Sequence, residues 1–384
     1  MNIEEVRKYF PVVDELIYLD HAGVAPLSTR VVGAVEGFLQ RACEGGGIYT
    51  QEFDQEVERV RDQAACVLGA HPDEIAFAKN TSEALSWVAA GINWSPQDNV
   101  IINDLEFPSN VYPWMNLKEI GVELKTISAV DGRITPEMIE SQLDSRTRLV
   151  ALSSVQYQNG FRANLEQIGK ICRERGIFFC VDGIQSVGAI PLDVHDEKID
   201  FLAADGHKWM LAPEGVAIFY CRRENLGLLK PLSVGWKSVA KPREFDRIDF
   251  TLRSDAARFE GGSLNIMGIF AFGSALDLLI ELGIEWIYER ILTLTNYIYK
   301  EAQEREVPVL SPWGKGERSG IVSLKVQDPK FLHRKLLTEK IVTAVRGNAL
   351  RLSPHFYNTE AEIQQFFETL EKLTAKKQQS PSEK

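Results

Sequence analysis

Between about residues 18 and 225, short apolar runs alternate with stretches whose apolar positions recur every three to four residues. Runs 16–19, 74–77, 100–102, 122–127 and 148–153 read as strands. The longer-period stretches 52–68, 83–92, 110–120, 135–143 and 164–176 read as amphipathic helices. This alternation predicts an α/β fold with a mostly parallel central sheet and helices on both of its faces. Two more runs sharpen the picture. Residues 177–182 are continuously apolar up to Asp182, and 199–204 are apolar up to the segment Asp205-Gly206-His207-Lys208-Trp209. Ligands of open α/β sheets sit beyond the carboxyl ends of the strands, so Asp182 and Lys208 are expected to face one crevice.

The rest of the pattern divides the chain. Residues 1–17 read as a helix and an extended arm that joins a smaller domain, and 18–262 as the large domain. Residues 263–375 read as a small C-terminal α+β domain, and 376–384 as a polar, disordered tail. Residues 226–262, with Pro231, Gly235 and Pro242, are irregular. One long helix is expected from 266 to about 305, strands near 319–326 and 341–353, and a helix over 359–374.

At 384 residues, two domains are the default expectation. A hydrophobic share of 45% with 25% charged residues is that of an ordinary globular protein. A net charge of −11 argues against nucleic acid and anionic membrane as partners. No apolar run reaches the length of a membrane span, and the first residues lack the apolar stretch of a signal peptide. Five scattered cysteines without a C-x-x-C pair suit reduced thiols, so a cytoplasmic enzyme is expected.

An amine and an acid at neighbouring strand ends are what pyridoxal 5'-phosphate (PLP) requires: a lysine for the Schiff base and a carboxylate that keeps the pyridine nitrogen protonated. Lys208 and Asp182 are the candidates, although a solvated loop lysine and a turn-capping aspartate are the plainer readings of each alone. Thr81 and Ser82 open a helix directly after a strand, a place suited to a phosphate and equally to a simple cap. Ser263 is a second phosphate candidate. Phe107 follows a strand and is placed to stack on a ring, or to join the core. Arg351 alternates with apolar residues, as either a carboxylate fork or a surface ion-pair partner. No H-e-x-x-H, Walker lysine, G-x-G-x-x-G or metal-spaced histidine set supports a rival chemistry; metal ligands are not expected.

Taken in order, these segments resemble the class V aminotransferase family of fold-type I PLP enzymes, which includes cysteine desulfurases and isopenicillin-N-epimerase-like proteins. The most specific motifs are Val181-Asp182-Gly183-Ile184-Gln185-Ser186 and Asp205-Gly206-His207-Lys208-Trp209. The likeness runs from Tyr18-Leu19-Asp20-His21-Ala22-Gly23 to Phe356-Tyr357-Asn358-Thr359. It implies that Lys208 carries PLP, Asp182 holds the ring nitrogen and Gln185 bonds the ring hydroxyl. It places His207, Thr81 and Ser82 on the phosphate, Phe107 and Gln156 on the ring, and Arg351 on the substrate carboxylate. Ser263 would reach the phosphate of a neighbouring copy, which implies a homodimer with shared active sites.

Three departures stand out. Phe107 occupies a place where many desulfurases have a histidine. Asp205 stands where they have a phosphate-binding serine. No cysteine follows Cys221, although desulfurases carry a nucleophilic cysteine shortly before the arginine. The resulting expectation is a PLP enzyme acting on an α-amino acid, a C–S lyase or epimerase-like enzyme that does not form a persulfide. Transamination is the alternative, and a non-catalytic PLP-fold binding protein is the alternative from another class.

Overall fold

The structure, a computed structural model, describes residues 3 to 379. After the two-residue strand β1 (Ile17–Tyr18), seven strands form the central sheet: β2 (Ile75–Ala78), β3 (Asn99–Asn103), β4 (Glu123–Ile127), β5 (Thr147–Ser153), β6 (Phe178–Asp182), β7 (Phe201–Asp205) and β8 (Ala217–Cys221). Their order is β2-β8-β7-β6-β5-β3-β4. Every pairing is parallel except those of β8, which runs antiparallel to both β2 and β7.

The near-continuous apolar runs of β3, β5, β6 and β7 have a simple cause. Successive side chains point to opposite faces, and both faces are covered. Ile101, Val150, Leu152, Val181 and Leu202 enter one core. Val100, Ile102, Leu149, Ala151, Cys180 and Ala203 enter the other. From β3 the chain steps outward to β4, then returns across β3 to β5 and continues through β6 and β7. The direction of travel therefore switches between β3 and β5, which places a crevice at the carboxyl ends of these strands.

The C-terminal part adds β9 (Val322–Leu324), β10 (Ile341–Val342), β11 (Ala344–Arg346) and β12 (Ala349–Leu352). An antiparallel sheet β11-β12-β9 forms, while β10 pairs in parallel with β1. Where a strand region was expected over 341–353 there are thus three short strands. The expected long helix is two, Ile266–Leu282 and Ile284–Glu304, bent by 80° at Gly283, whose φ of +82° suits glycine. The two halves bury different surfaces. The first packs on helices Thr29–Gly45 and Thr50–Leu68 beside the large sheet, and the second joins the core of the small sheet through Leu294 and Ile298. Residues 110–120 form only a short helix, Tyr112–Met115, between 3-10 turns, with Pro113 in its first turn, where the missing N–H costs nothing. The last helix, Glu360–Gln379, runs into the stretch expected as a tail; residues 380–384 lie outside the described residues. Among the described residues no single helix is long and apolar enough to cross a membrane.

The two ends of the chain meet. Beyond β1, Asp20 bridges to Ser353 through the backbone, and His21 contacts the Ser353 carbonyl (2.9 Å) and the Tyr357 hydroxyl (2.6 Å). Burial pushes His21 down to about 4, so the imidazole is neutral.

A buried ion pair ties the sheet's far edge to the segment leading to Ser263. Arg61 donates to both oxygens of Glu260 (2.7 and 3.1 Å), and Glu260 also accepts the Phe77 N–H (2.9 Å). Glu260→Ala strands a buried guanidinium and is expected to cost about 3–5 kcal/mol in chemical denaturation. Arg30→Ala, which breaks the exposed Arg30–Glu281 pair, is expected to cost below about 1 kcal/mol. Equal losses from the two variants would contradict this assignment of the stabilising pair.

Candidate active site

A cavity of about 310 Å³ opens at the carboxyl ends of the parallel strands. Asp182, Gln185, His207, Lys208, Thr81, Ser82, Phe107 and Arg351 all line it. The loop after β3 supplies Phe107, β6 ends in Asp182 and the loop after it supplies Gln185, and the loop after β7 supplies His207 and Lys208.

The lysine loop is closed on itself. The Leu211 N–H donates to the Lys208 carbonyl (3.1 Å) and the Ala212 N–H to the Gly206 carbonyl (3.0 Å). Buried Leu211 sits at φ +58°, a left-handed conformation that costs a β-carbon-bearing residue about 1–3 kcal/mol. A Cβ on Gly206 would lie 2.9 Å from Ala212 Cβ, so only glycine allows this turn. Next to it, buried Trp209 donates its indole N–H to Gln185 Oε1 (2.8 Å), and Gln185 Nε2 donates to the Ala22 carbonyl (3.1 Å). The Lys208 and Asp182 loops are thereby locked together through packed side chains.

Asp182 is buried and accepts the Ile184 N–H at 3.0 Å. Burial pushes its carboxyl up to about 7; the Ile184 bond opposes this, the Glu106 charge adds to it and Lys208 opposes it. Burial pushes Lys208 down to about 8, against the pull of Asp182 and with help from Arg351. The Lys208 ammonium lies 5.7 Å from the centre of the Phe107 ring. Phe107 is 42% exposed at the cavity mouth and meets Tyr157 edge to face.

At the other end, Asn80 caps helix Thr81–Gly91 by accepting the Glu83 N–H. Thr81 Oγ1 accepts the Asp205 N–H (3.1 Å) and Ser82 Oγ donates to Ser109 Oγ (2.7 Å). The Asp205 carboxylate lies 2.9 Å from His207 Nδ1, off the axis of a hydrogen bond. Arg351 is buried and fixed by Asp20 Oδ1 (2.7 Å) and the Tyr157 carbonyl (2.8 Å), with its Nε unpartnered.

Two expected residues are not at the cavity wall. Gln156 is buried behind it and donates to Glu106 (3.0 Å), and exposed Ser263 does not line the cavity of its own chain. Sequence reasoning missed Tyr157, Ser109 and Arg346, which line the cavity, and Asp20, which fixes Arg351. It also missed Glu106, a buried acceptor for Asn110 (2.9 Å), the Ser153 N–H (2.8 Å) and Gln156. Arg346 was findable from the alternation of 344, 346, 349 and 351; Glu106 and Asp20 act through partners distant in sequence.

These residues fit PLP. An amine and a carboxylate share one cavity, a helix N-terminus with two hydroxyls closes one end, and an exposed aromatic face and an orphaned Arg351 Nε await partners. The sheet and the site together are those of a fold-type I PLP-dependent enzyme. The chain belongs to the class V aminotransferase family, whose sequence signature matches residues 17–366. A probable cysteine desulfurase of Methanothermobacter thermautotrophicus is 31% identical, the match covering 97% of this chain and 98% of the relative. The solved apo cysteine desulfurase of Thermococcus onnurineus NA1 superposes with a TM-score of 0.89 at 27% identity, over 97% of this chain and 98% of that one. A structure of C-DES with glycine covalently linked to its PLP cofactor shares the fold (TM-score 0.89, 23% identity, 95% and 98% covered).

These relatives overturn the expectation that persulfide formation is excluded. That expectation rested on the absence of a cysteine from the segment before Arg351, which here includes the hairpin β11-β12, and from everywhere after Cys221. The desulfurase relatives match along nearly the full length, and a persulfide can form on any accessible thiol, including one on a second molecule. Among the five cysteines, Cys43 and Cys66 are exposed and Cys172, Cys180 and Cys221 buried; none lines the cavity.

The raised Asp182 carboxyl predicts a pH signature in the cofactor-free protein. Its folded value, about 7, exceeds the ordinary 3.8, so its contribution to stability is present at low pH and is lost as pH rises through about 7. The thermal midpoint of wild type relative to Asp182→Asn should therefore fall steadily between pH 4 and pH 8. A difference that stays flat across this window would refute the shift.

Proposed function

We propose that this PLP enzyme cleaves the C–S bond of a cysteine-class α-amino acid. The reading rests on one observation above the others: Lys208 and Asp182, from different strand ends, meet Arg351 across a single cavity. The two desulfurase relatives favour sulfur chemistry over epimerisation or transamination.

In this reading Lys208 is the attachment point. With its ammonium pushed down to about 8, a useful fraction is unprotonated near neutrality, as a nucleophile needs. PLP, when bound, supplies the electron sink that makes the substrate's α-proton acidic. Asp182 would hold the ring nitrogen through its carboxylate. Gln185 meets the ring hydroxyl, and Gln156, braced by Glu106, supports that wall from behind. Phe107 covers one ring face. Thr81, Ser82 and the N-terminus of helix Thr81–Gly91 receive the phosphate. His207 would join them through Nε2, the ring nitrogen away from the Asp205 carboxylate. Ser263 serves the site of a second copy, in a homodimer.

Arg351, held rigid by Asp20 and the Tyr157 carbonyl, would grip the substrate carboxylate in the cavity that Lys208 also lines. Lys208, when not engaged by the cofactor, would take the substrate's α-proton as general base. The domain division at about 262 separates the part that carries the cofactor from the part that brings Arg351.

The test is incubation of the PLP-loaded protein with L-cysteine and with L-cystine. Sulfide, protein persulfide and persulfide on an added thiol are scored alongside alanine and pyruvate. Release of sulfur in any of these forms is expected, and turnover should fall by about 100- to 10,000-fold in Lys208→Ala. The same variant should lose the visible absorbance band that borohydride abolishes in wild type. Racemised amino acid or a keto acid without sulfur release would overturn the C–S reading. A reducible band surviving in Lys208→Ala would overturn the lysine assignment.

A further inference from the structure

Asp205 ends β7 at the wall of the active-site cavity, beside the helix start that receives a phosphate in the PLP reading, and it brings a charge of the same sign. The residue is 5% exposed, and its carboxylate Oδ1 is buried without a hydrogen-bond partner. Its backbone is fixed on two sides. The Asp205 N–H donates to Thr81 Oγ1 (3.1 Å), and β8 pairs Ala217 with it. A buried carboxylate oxygen left without a donor is costly, so its surroundings have to explain it.

The neighbouring groups do not supply that donor. His207 Nδ1 lies 2.9 Å from Oδ1 but off the axis of a hydrogen bond, and it is itself unpartnered. Ser82 Oγ donates to Ser109 Oγ (2.7 Å). Lys79 and Glu83, at the start of the same helix, pair with each other (3.2 Å). Lys208 is the attachment point; burial pushes it down, and the charges of Asp182 and Asp205 oppose this. The remaining charged groups on the cavity wall are Asp182 at the end of β6 and Arg346 and Arg351 from the hairpin, Arg351 being held by Asp20.

The second ionisation of a phosphate monoester falls at about 6. The dianion offers acceptor oxygens alone, so it would meet Asp205 oxygen to oxygen with like charge. The monoanion keeps one P–O–H, and an O–H···O⁻ bond to a carboxylate is short and strong. Two acids confined to one site share a proton because both cannot ionise together.

We propose that Asp205 makes this end of the cavity select a phosphate monoester in its singly protonated form, the proton lying between Asp205 Oδ1 and a phosphate oxygen. No covalent bond to a heavy atom forms or breaks: the proton comes from solvent as the cofactor binds and returns there when it leaves. The proposal rests on the PLP reading, with the phosphate at Thr81 and Ser82, but not on the C–S step. It makes retention of the cofactor depend on pH. With one proton taken up per phosphate, affinity falls about tenfold per pH unit above the ester's own ionisation.

The experiment reads the phosphate itself, by phosphorus NMR of the PLP-loaded full chain between about pH 6 and pH 9. Wild type is expected to keep the resonance position of a monoanionic ester up to about pH 8, whereas Asp205→Asn and Asp205→Ser take that of the dianion. Affinity gives a second readout. Pyridoxamine 5'-phosphate and pyridoxamine, which lacks the phosphate, are titrated into the cofactor-free protein, and the preference for the first isolates this end of the site. That preference should fall about tenfold per pH unit above about pH 7 in wild type and stay flat in both variants. At about pH 8 the variants should bind pyridoxamine 5'-phosphate roughly 10- to 100-fold more tightly than wild type does. A dianion signal from wild type at that pH would overturn the proposal. So would weaker binding by Asp205→Asn, which would mean that Asp205 serves the phosphate through His207. A preference in wild type that does not vary with pH would refute the shared proton and leave the PLP reading intact. No preference for the phosphorylated ligand at any pH would refute both.

Discussion

Two opposite charges buried at the edge of a parallel sheet govern this structure. Asp182 ends β6 and Lys208 follows β7, and neither is well solvated: one is pushed up to about 7 and the other down to about 8. A site arranged this way is costly without its cofactor and is relieved by a ligand carrying a ring nitrogen and an aldehyde. The adjoining structure serves to keep the two groups where water cannot compensate them. Trp209 bolts their loops together through Gln185, Leu211 accepts a left-handed backbone to close the lysine turn, and Glu106 organises Ser153, Asn110 and Gln156 behind Asp182.

The opposite wall depends on the meeting of the chain's two ends. Parallel pairing of β1 with β10 and the contacts of His21 with Ser353 and Tyr357 bring Asp20 beside Arg351. An arginine this deeply buried is stable only with a fixed counter-charge. The segment of 18–23 and that of 356–359, which open and close the family likeness, thus prove to be one structural unit.

The relatives also change how the hairpin β11-β12 is understood. Its lack of a cysteine bears on where sulfur would be received, not on whether it is released. The two-residue turn after β11 leaves Arg346 at the end of the strand, where it lines the cavity.

Much of this was legible in the chain itself. Strand runs apolar at every position announced a sheet covered on both faces, and the motifs around Asp182 and Lys208 carried the cofactor chemistry, because strand ends in such a sheet converge on one edge. Local pattern failed where two distant segments decide. The 80° bend at Gly283 lets the second helix run from the large core, which Ile287 and Ile291 still join, to the small one, which Leu294 and Ile298 enter; a continuous helical period does not reveal this. The acids beside Arg351 and behind Asp182, the approach of Asp205 to His207 and the placing of Arg346 and Arg351 on one face of a hairpin all depend on register and burial. Sequence fixes which groups a chain possesses; only the packed structure decides which of them lose water, and so which acquire unusual chemistry.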